Sequence, residues 1–125
     1  MTGASGGIGT ALRKLLPPIY PDLLLSDLKA PADLGTHEKF KVAELSDLAQ
    51  VEAICEGVDG ILHFGGFSGE GTWDDILQSN IIGCYNLFEG AQEGRQARGI
   101  RLIQPCGGLL SAPSPDRDRG HGAAG

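Results

Sequence analysis

Met1-Thr2-Gly3-Ala4-Ser5-Gly6-Gly7-Ile8-Gly9 runs straight into Thr10-Ala11-Leu12-Arg13-Lys14-Leu15-Leu16, where apolar residues at 8, 11, 12, 15 and 16 recur at helical spacing. Pro17-Pro18 then stops the helix, because proline has no N–H to give and its ring clashes with the preceding turn. A glycine turn that opens onto a helix fits a phosphate cradle. Glycine admits positive φ and lets backbone N–H groups approach an anion, and the helix aims the positive end of its dipole at that charge. The same residues also read as a plain flexible loop before a helix, and the turn alone does not separate the two.

Downstream, Leu23-Leu24-Leu25-Ser26-Asp27-Leu28 is a short apolar run of the kind found in buried parallel strands. After a loop with Pro31 and Gly35, the pattern predicts a short strand over Phe40 to Ala43. Leu45 to Glu56 carries apolar residues at 45, 48, 51 and 54 and closes on Gly57, which predicts a helix with a glycine stop. Gly60-Ile61-Leu62-His63-Phe64 predicts another buried strand, running into Gly65-Gly66. Trp73 to Gln92 is predicted as the longest helix, with Ile76, Leu77, Asn80, Ile81, Cys84, Leu87, Phe88 and Ala91 along one broad face, and Gly99 to Ile103 as the strand after it. Such alternation of strands and helices predicts an α/β fold: a doubly wound parallel sheet whose right-handed crossovers place helices on both faces.

Asp27 sharpens the reading of the glycine turn. It ends the strand that follows the first helix, eighteen positions after Gly9, close to the spacing at which a dinucleotide site presents a carboxylate to the adenosine ribose. A carboxylate accepts hydrogen bonds from the 2′-hydroxyl and repels a 2′-phosphate, so it selects NAD over NADP. No arginine follows it; the next residues are Leu28, Lys29 and Ala30. The alternative is an ordinary loop acid.

The rest of the composition narrows the field. At 125 residues the chain is one ordinary domain. Ten Lys and Arg stand against sixteen Asp and Glu, a net charge of -6, and no segment gathers enough positive charge to hold a phosphate backbone, so nucleic acid is not expected as a partner. No apolar run approaches the roughly 18 residues of a membrane span, which predicts a cytoplasmic protein without a membrane partner. Cys55, Cys84 and Cys106 match no zinc or redox spacing, and His37, His63 and His121 are scattered, so reduced thiols and no metal are expected. Glycine supplies 20 of the 125 residues against a usual share of about 7%. From Pro105 to Gly125 no period of 2 or 3.6 survives, and this segment reads as a disordered, solvated tail. The organisation expected is thus a partial cofactor-binding domain over 1–104 and a tail over 105–125.

Thr2-Gly3-Ala4-Ser5-Gly6-Gly7-Ile8-Gly9 resembles the glycine motif of the short-chain dehydrogenase/reductase superfamily, in both its TGxxGxxG and TGxxxGxG forms. Ile61-Leu62-His63-Phe64-Gly65-Gly66 and the stretch Asn80-Ile81-Ile82-Gly83-Cys84-Tyr85-Asn86-Leu87-Phe88-Glu89-Gly90-Ala91 resemble motifs of its extended branch, the NAD-dependent epimerase/dehydratase family, which has a Rossmann-type fold. Within that branch, His63-Phe64-Gly65-Gly66-Phe67-Ser68 and Trp73 to Asn80 look most like the uronate dehydrogenases, which oxidise a hexuronic acid to a lactone with NAD. The resemblance covers about residues 1 to 103. It implies that Gly3, Gly6, Gly7, Ile8 and Gly9 contact the pyrophosphate, Asp27 and Leu28 the ribose, and Glu44 and Leu45 the adenine. It also implies that Phe64, Gly65 and Gly66 line the middle of the cofactor and that Ser68 faces the sugar acid. Glu44 stands where the family usually has Asp. Asn80 is expected on the helix facing the sheet, where its amide either meets the cofactor or ties adjacent loops together. His63 reads as a packed core histidine, and Trp73 and Tyr85 as packing residues.

The family's chemistry uses a Tyr with a Lys four positions later, on the same helix face, that lowers the tyrosine's pKa. Here the tyrosines are Tyr20, with Leu24 four on, and Tyr85, with Glu89 four on, so no catalytic residue is assigned. The expectation is a cofactor-binding N-terminal fragment, inactive alone, with its first strand and C-terminal half missing and its tail altered by a frameshift or truncation of the parent. Without a strand before Gly3, the strands near 24 and 61 are expected to lose their shared neighbour, leaving a marginal, aggregation-prone fold. The intact parent is read as an oxidoreductase acting on a small sugar acid, with self-association into a homo-oligomer left open. Two alternatives stand beside it: a nucleotide-sugar epimerase or dehydratase of the same branch, and a non-catalytic NAD-binding regulatory module.

Overall fold

A computed structural model describes residues 1–93 and 99–101. The expected end of the last strand at 102–103, Cys106, and the tail over 105–125 lie outside the described residues. In order along the chain come α1 (Gly7–Leu15), β1 (Leu24–Asp27), β2 (Lys39–Val42), α2 (Leu48–Cys55), β3 (Gly60–Leu62), α3 (Trp73–Ile76), a π-helical segment (Leu77–Ile82), α4 (Gly83–Glu93) and β4 (Gly99–Arg101). This is the alternation expected, with the long helix in three parts.

Among the described residues all strand pairing is parallel. β1 pairs β2 with Leu25 opposite Phe40, and β3 pairs β4 with Ile61 opposite Ile100. Thr2 joins the two pairs by bridging Ser26 on one side and His63 on the other, both in parallel sense. The Thr2 N–H donates to Leu62 O at 3.0 Å and Thr2 O accepts from Phe64 N–H at 3.3 Å. On the other side Met1 O accepts from Ser26 N–H at 2.8 Å, and the Met1 ammonium donates to Leu24 O at 2.6 Å. The strands near 24 and 61 therefore share a neighbour about two residues long. The expected loss of that shared neighbour is not seen at Met1 and Thr2, which pair with both strands.

The core lies where α2 and α4 meet the sheet, built from Ala43, Val51, Ile54, Cys55, Ile61, Leu87 and Ala91. Gly90 lets the two helices approach, since a Cβ there would stand 3.1 Å from Val51 Cγ1. His63 is buried, with Nδ1 2.7 Å from Thr2 Oγ1, and burial lowers its pKa to about 4, so it is a neutral core histidine as read from the sequence. Trp73 and Tyr85 are not packing residues: they are 58% and 60% exposed. Ile81 and Phe88 are likewise in solvent, because the apolar stripe of the long helix is wider than the surface that α2 and the sheet offer it.

On the other face, Arg13 of α1 is buried and forks onto the loop before β2. Its Nε and Nη2 donate to the two Glu38 carboxylate oxygens at 2.9 and 2.6 Å, and its Nη1 donates to Asp33 Oδ1 at 2.7 Å. Burying the charge is tolerable because every part of the guanidinium meets an acceptor.

Candidate functional site

The glycine turn forms as its sequence requires. Gly3 has φ of +69°, and a Cβ there would lie 2.5 Å from the Phe64 carbonyl; one on Gly9 would lie 2.1 Å from Gly3 O. These two positions need glycine for space. Gly6 and Gly7 are exposed, and a Cβ on Gly7 would meet nothing within 4 Å, so their bareness serves access rather than packing. Gly6 N–H closes the turn on Gly3 O at 3.2 Å, and Thr10 N–H donates to Gly6 O at 2.8 Å to begin α1. No side chain caps this helix, so the donors of its first turn, which includes the exposed Ile8, face outward beside the turn.

Asp27 stands at the end of β1 against that turn. Its Oδ2 accepts from Ser5 N–H and its Oδ1 from Leu28 N–H, both at 2.8 Å. The carboxylate is partly exposed, and about half its lone-pair sites remain for a ligand. Ser5 also donates through Oγ to Lys29 O at 2.7 Å, so the turn and the end of β1 are tied at two points.

A crevice of about 150 Å³ opens at the carboxyl ends of β1, β2 and β3, and its walls include Gly3, Asp27, Leu28, Glu44, Leu45, Gly65 and Gly66. Seven of the residues expected at the cofactor are thus brought to one place, the position at which open α/β sheets take ligands. Glu44 is held by its own surroundings: its N–H donates to Gln50 Oε1 at 3.0 Å and its Oε1 accepts from Ser46 Oγ at 3.2 Å. A far larger cavity, about 860 Å³, lies at the opposite ends of the strands, away from the glycine turn.

The remaining expected residues sit around this crevice in different ways. Phe64 contributes its backbone, on which Gly3 rests. Gly65 N–H donates to Thr2 Oγ1 at 3.1 Å, and Gly66 has φ of +150°. The amide of Asn80 is spent on the loop: its Oδ1 accepts from Phe67 N–H at 2.7 Å and its Nδ2 donates to Phe67 O at 3.0 Å. Of its two sequence readings, the structure displays the loop tie. Ser68 is exposed just beyond that tie and is not a wall of the crevice.

Sequence reasoning missed Ser5, Thr2, Phe67 and Ser79 as parts of the site. Ser5 and Thr2 act on partners 22 and 61 residues away, and no local spacing announces such contacts. Among the described residues no group of three or more His, Cys, Asp and Glu could hold a metal, and no helix is long and apolar enough to cross a membrane.

No family model matches the chain. Among curated proteins it is similar to the uronate dehydrogenase of Pseudomonas syringae pv. tomato, 46% identical over 94 residues that make up 74% of this chain and 34% of that protein. Among solved structures it is similar to the glucuronic acid dehydrogenase of Chromohalobacter salexigens, with a TM-score of 0.73 and 41% identity, covering 79% of this chain and 37% of that one. It is also similar to a mutant uronate dehydrogenase of Agrobacterium tumefaciens complexed with NAD, with a TM-score of 0.69 and 42% identity over 74% of this chain and 35% of that one. The chain spans about a third of the length of these relatives, and its fold is the Rossmann type of short-chain dehydrogenases.

Proposed function

As a homologue of the uronate dehydrogenases over some three quarters of its length, this chain is one that we propose binds NAD in the crevice at the carboxyl ends of its strands. It does so as the cofactor-binding part of an oxidoreductase that oxidises a hexuronic acid at the anomeric carbon to an aldarolactone. The observation that carries the reading is Asp27, which lines the crevice while its carboxylate touches the glycine turn through Ser5 N–H. One site then offers a cradle of backbone donors for a pyrophosphate and, beside it, an acceptor for a ribose.

Gly3 and Gly9 shape the turn. Gly6, Gly7 and Ile8 leave the first-turn donors of α1 open to the phosphates. Asp27 takes the ribose hydroxyls with Leu28 beside it, Glu44 and Leu45 flank the adenine, and the backbone at Phe64, Gly65 and Gly66 runs along the middle of the cofactor. Asn80 holds that loop in place through Phe67, and Ser68 offers its hydroxyl to the sugar acid. When bound, NAD supplies the hydride acceptor. The chain's own residues bind and orient but provide no base of the Tyr-Lys type: beside Tyr85 stands Glu89, which raises the phenol's pKa, the opposite of what a lysine does. Turnover of uronates by these 125 residues alone is therefore expected to be undetectable.

Calorimetric titration of NAD into the purified chain tests the reading. Binding is expected, with Asp27→Ala weakening it at least about tenfold, or about 1.4 kcal/mol, and NADP binding more weakly than NAD to the unaltered chain. Equal heats for the unaltered chain and Asp27→Ala would overturn it.

A further inference from the structure

The short segment between β2 and α2 carries Glu44 and Leu45, both walls of the crevice, and each is held by one carboxamide from a neighbouring helix. Asn86 of α4, only 5% exposed, donates from Nδ2 to Leu45 O at 2.9 Å, across 41 residues of chain. Gln50 of α2 accepts on Oε1 from Glu44 N–H at 3.0 Å, and its Nε2 donates to Asp47 Oδ2 at 2.8 Å. The segment itself closes as a turn, with Asp47 N–H donating to Glu44 O at 3.1 Å. We infer that Asn86, with Gln50 as a second hold, is a positioning residue of the crevice: it fixes where Glu44 and Leu45 stand and, through them, which nucleobase the crevice prefers. This inference deepens the NAD reading and rests on it.

Two glycines show how closely that placement is defined. A Cβ on Gly83, the first residue of α4, would lie 2.8 Å from Leu45 Cβ, and one on Gly65 would lie 2.9 Å from Leu45 Cδ1. Leu45 is thus wedged between the start of α4 and the loop after β3. Gly83 and Asn86, three positions apart, lie on one face of the helix and meet the same segment. The glycines confine the Leu45 side chain, whereas the Asn86 bond fixes its backbone and with it the carboxylate of Glu44 next door. That carboxylate is partly exposed, and when ionised it only accepts, at about four lone-pair sites, more than Ser46 Oγ occupies. The exocyclic amine of adenine gives it a donor. The carbonyl oxygen that hypoxanthine carries at the same position meets it acceptor to acceptor. Such a choice depends on distance and angle, so it is lost when the segment drifts. Asn86 is not itself a wall of the crevice and acts through Leu45 O.

Titration of the full 125-residue chain with NAD, NADP and nicotinamide hypoxanthine dinucleotide, which differs from NAD only in carrying a carbonyl in place of the base amine, tests this. The unaltered chain is expected to prefer NAD over the hypoxanthine analogue at least about fivefold. Asn86→Leu keeps the bulk and removes the donor. It is expected to lower that preference at least about threefold and to leave the preference of NAD over NADP, which belongs to Asp27 on β1, unchanged. Gln50→Ala changes an exposed residue and is expected to lower the base preference about twofold; it decides the matter alone if circular dichroism finds Asn86→Leu unfolded. A role in stability only would lower Tm and weaken all three dinucleotides in equal proportion, and that result would overturn the proposal. So would an unaltered chain that binds NAD and the hypoxanthine analogue equally, or a base preference that survives both substitutions. Each of these outcomes leaves the NAD reading standing. That reading fails instead, and this one with it, if the unaltered chain does not bind NAD.

Discussion

Gly9 and Gly7 are two positions apart in one motif and have opposite physical reasons for being glycine. A side chain on Gly9 would drive into Gly3 O and Ala4 Cα, both backbone, and neither moves without opening the turn. Gly9→Ala is expected to destabilise the chain by about 1 to 3 kcal/mol, the range for overpacking. Gly7→Ala, with open space around it inside α1, is expected to stabilise by about 0.5 to 1 kcal/mol because alanine loses less backbone entropy in a helix. Urea unfolding midpoints of the two variants would show shifts of opposite sign, and shifts of the same sign would refute the assignment. At this scale much of the candidate site's geometry was legible: Gly3 and Gly9 form the turn and Asp27 ends β1 against it, as their spacing predicts. Ser5 and Thr2 were not, because their work is done through a backbone N–H and a hydroxyl on residues brought near only by folding.

Among the elements, α2 shows how a period misplaces a boundary. Apolar residues at 45, 48, 51 and 54 predict a helix from Leu45, but α2 begins at Leu48 behind Asp47, whose carboxylate accepts from Gln50 N–H at 3.2 Å. Leu45 packs against the core without being helical, so burial extends the pattern beyond the helix that carries it. Asp47→Ala is expected to cost about 1 kcal/mol in urea unfolding, the usual value of such a cap, and an unchanged midpoint would count against this boundary. In the long helix, apolar spacing again gave the extent but not the interior. Ser79 Oγ bonds back to Asp75 O at 2.6 Å, and Gly83 N–H reaches Gln78 O five residues back, contacts that hydrophobicity does not encode.

For the molecule as a whole, acid is the weakness. His63 has a folded pKa of about 4 against 6.5 when free, so below pH 6.5 the unfolded chain takes up a proton that the folded one refuses, and stability falls as pH drops from 6.5 to 4. Glu38, held at about 2 by Arg13, adds a loss of the same sign below pH 4.5. Burial raises the Cys55 thiol, so stability is lost in the other direction above pH 9. Urea unfolding at pH 7.5, 6 and 5 is expected to show a decline of up to about 1.4 kcal/mol per pH unit below 6.5, and His63→Leu should flatten it. An unaltered slope in that variant would assign the effect elsewhere. At this scale the alternation of strands and helices gave the sheet class, whereas the place of Thr2 between β1 and β3 emerged only once the two strand pairs were placed side by side. The Arg13 fork has its own consequence for the assembled chain. It bolts the axis of α1 to Glu38, 25 residues downstream and 13% exposed, with the more open Asp33 as a second hold, so raising ionic strength should loosen Lys39 from Asp22 at the surface and leave the Glu38 arm, and with it the aim of the helix, in place.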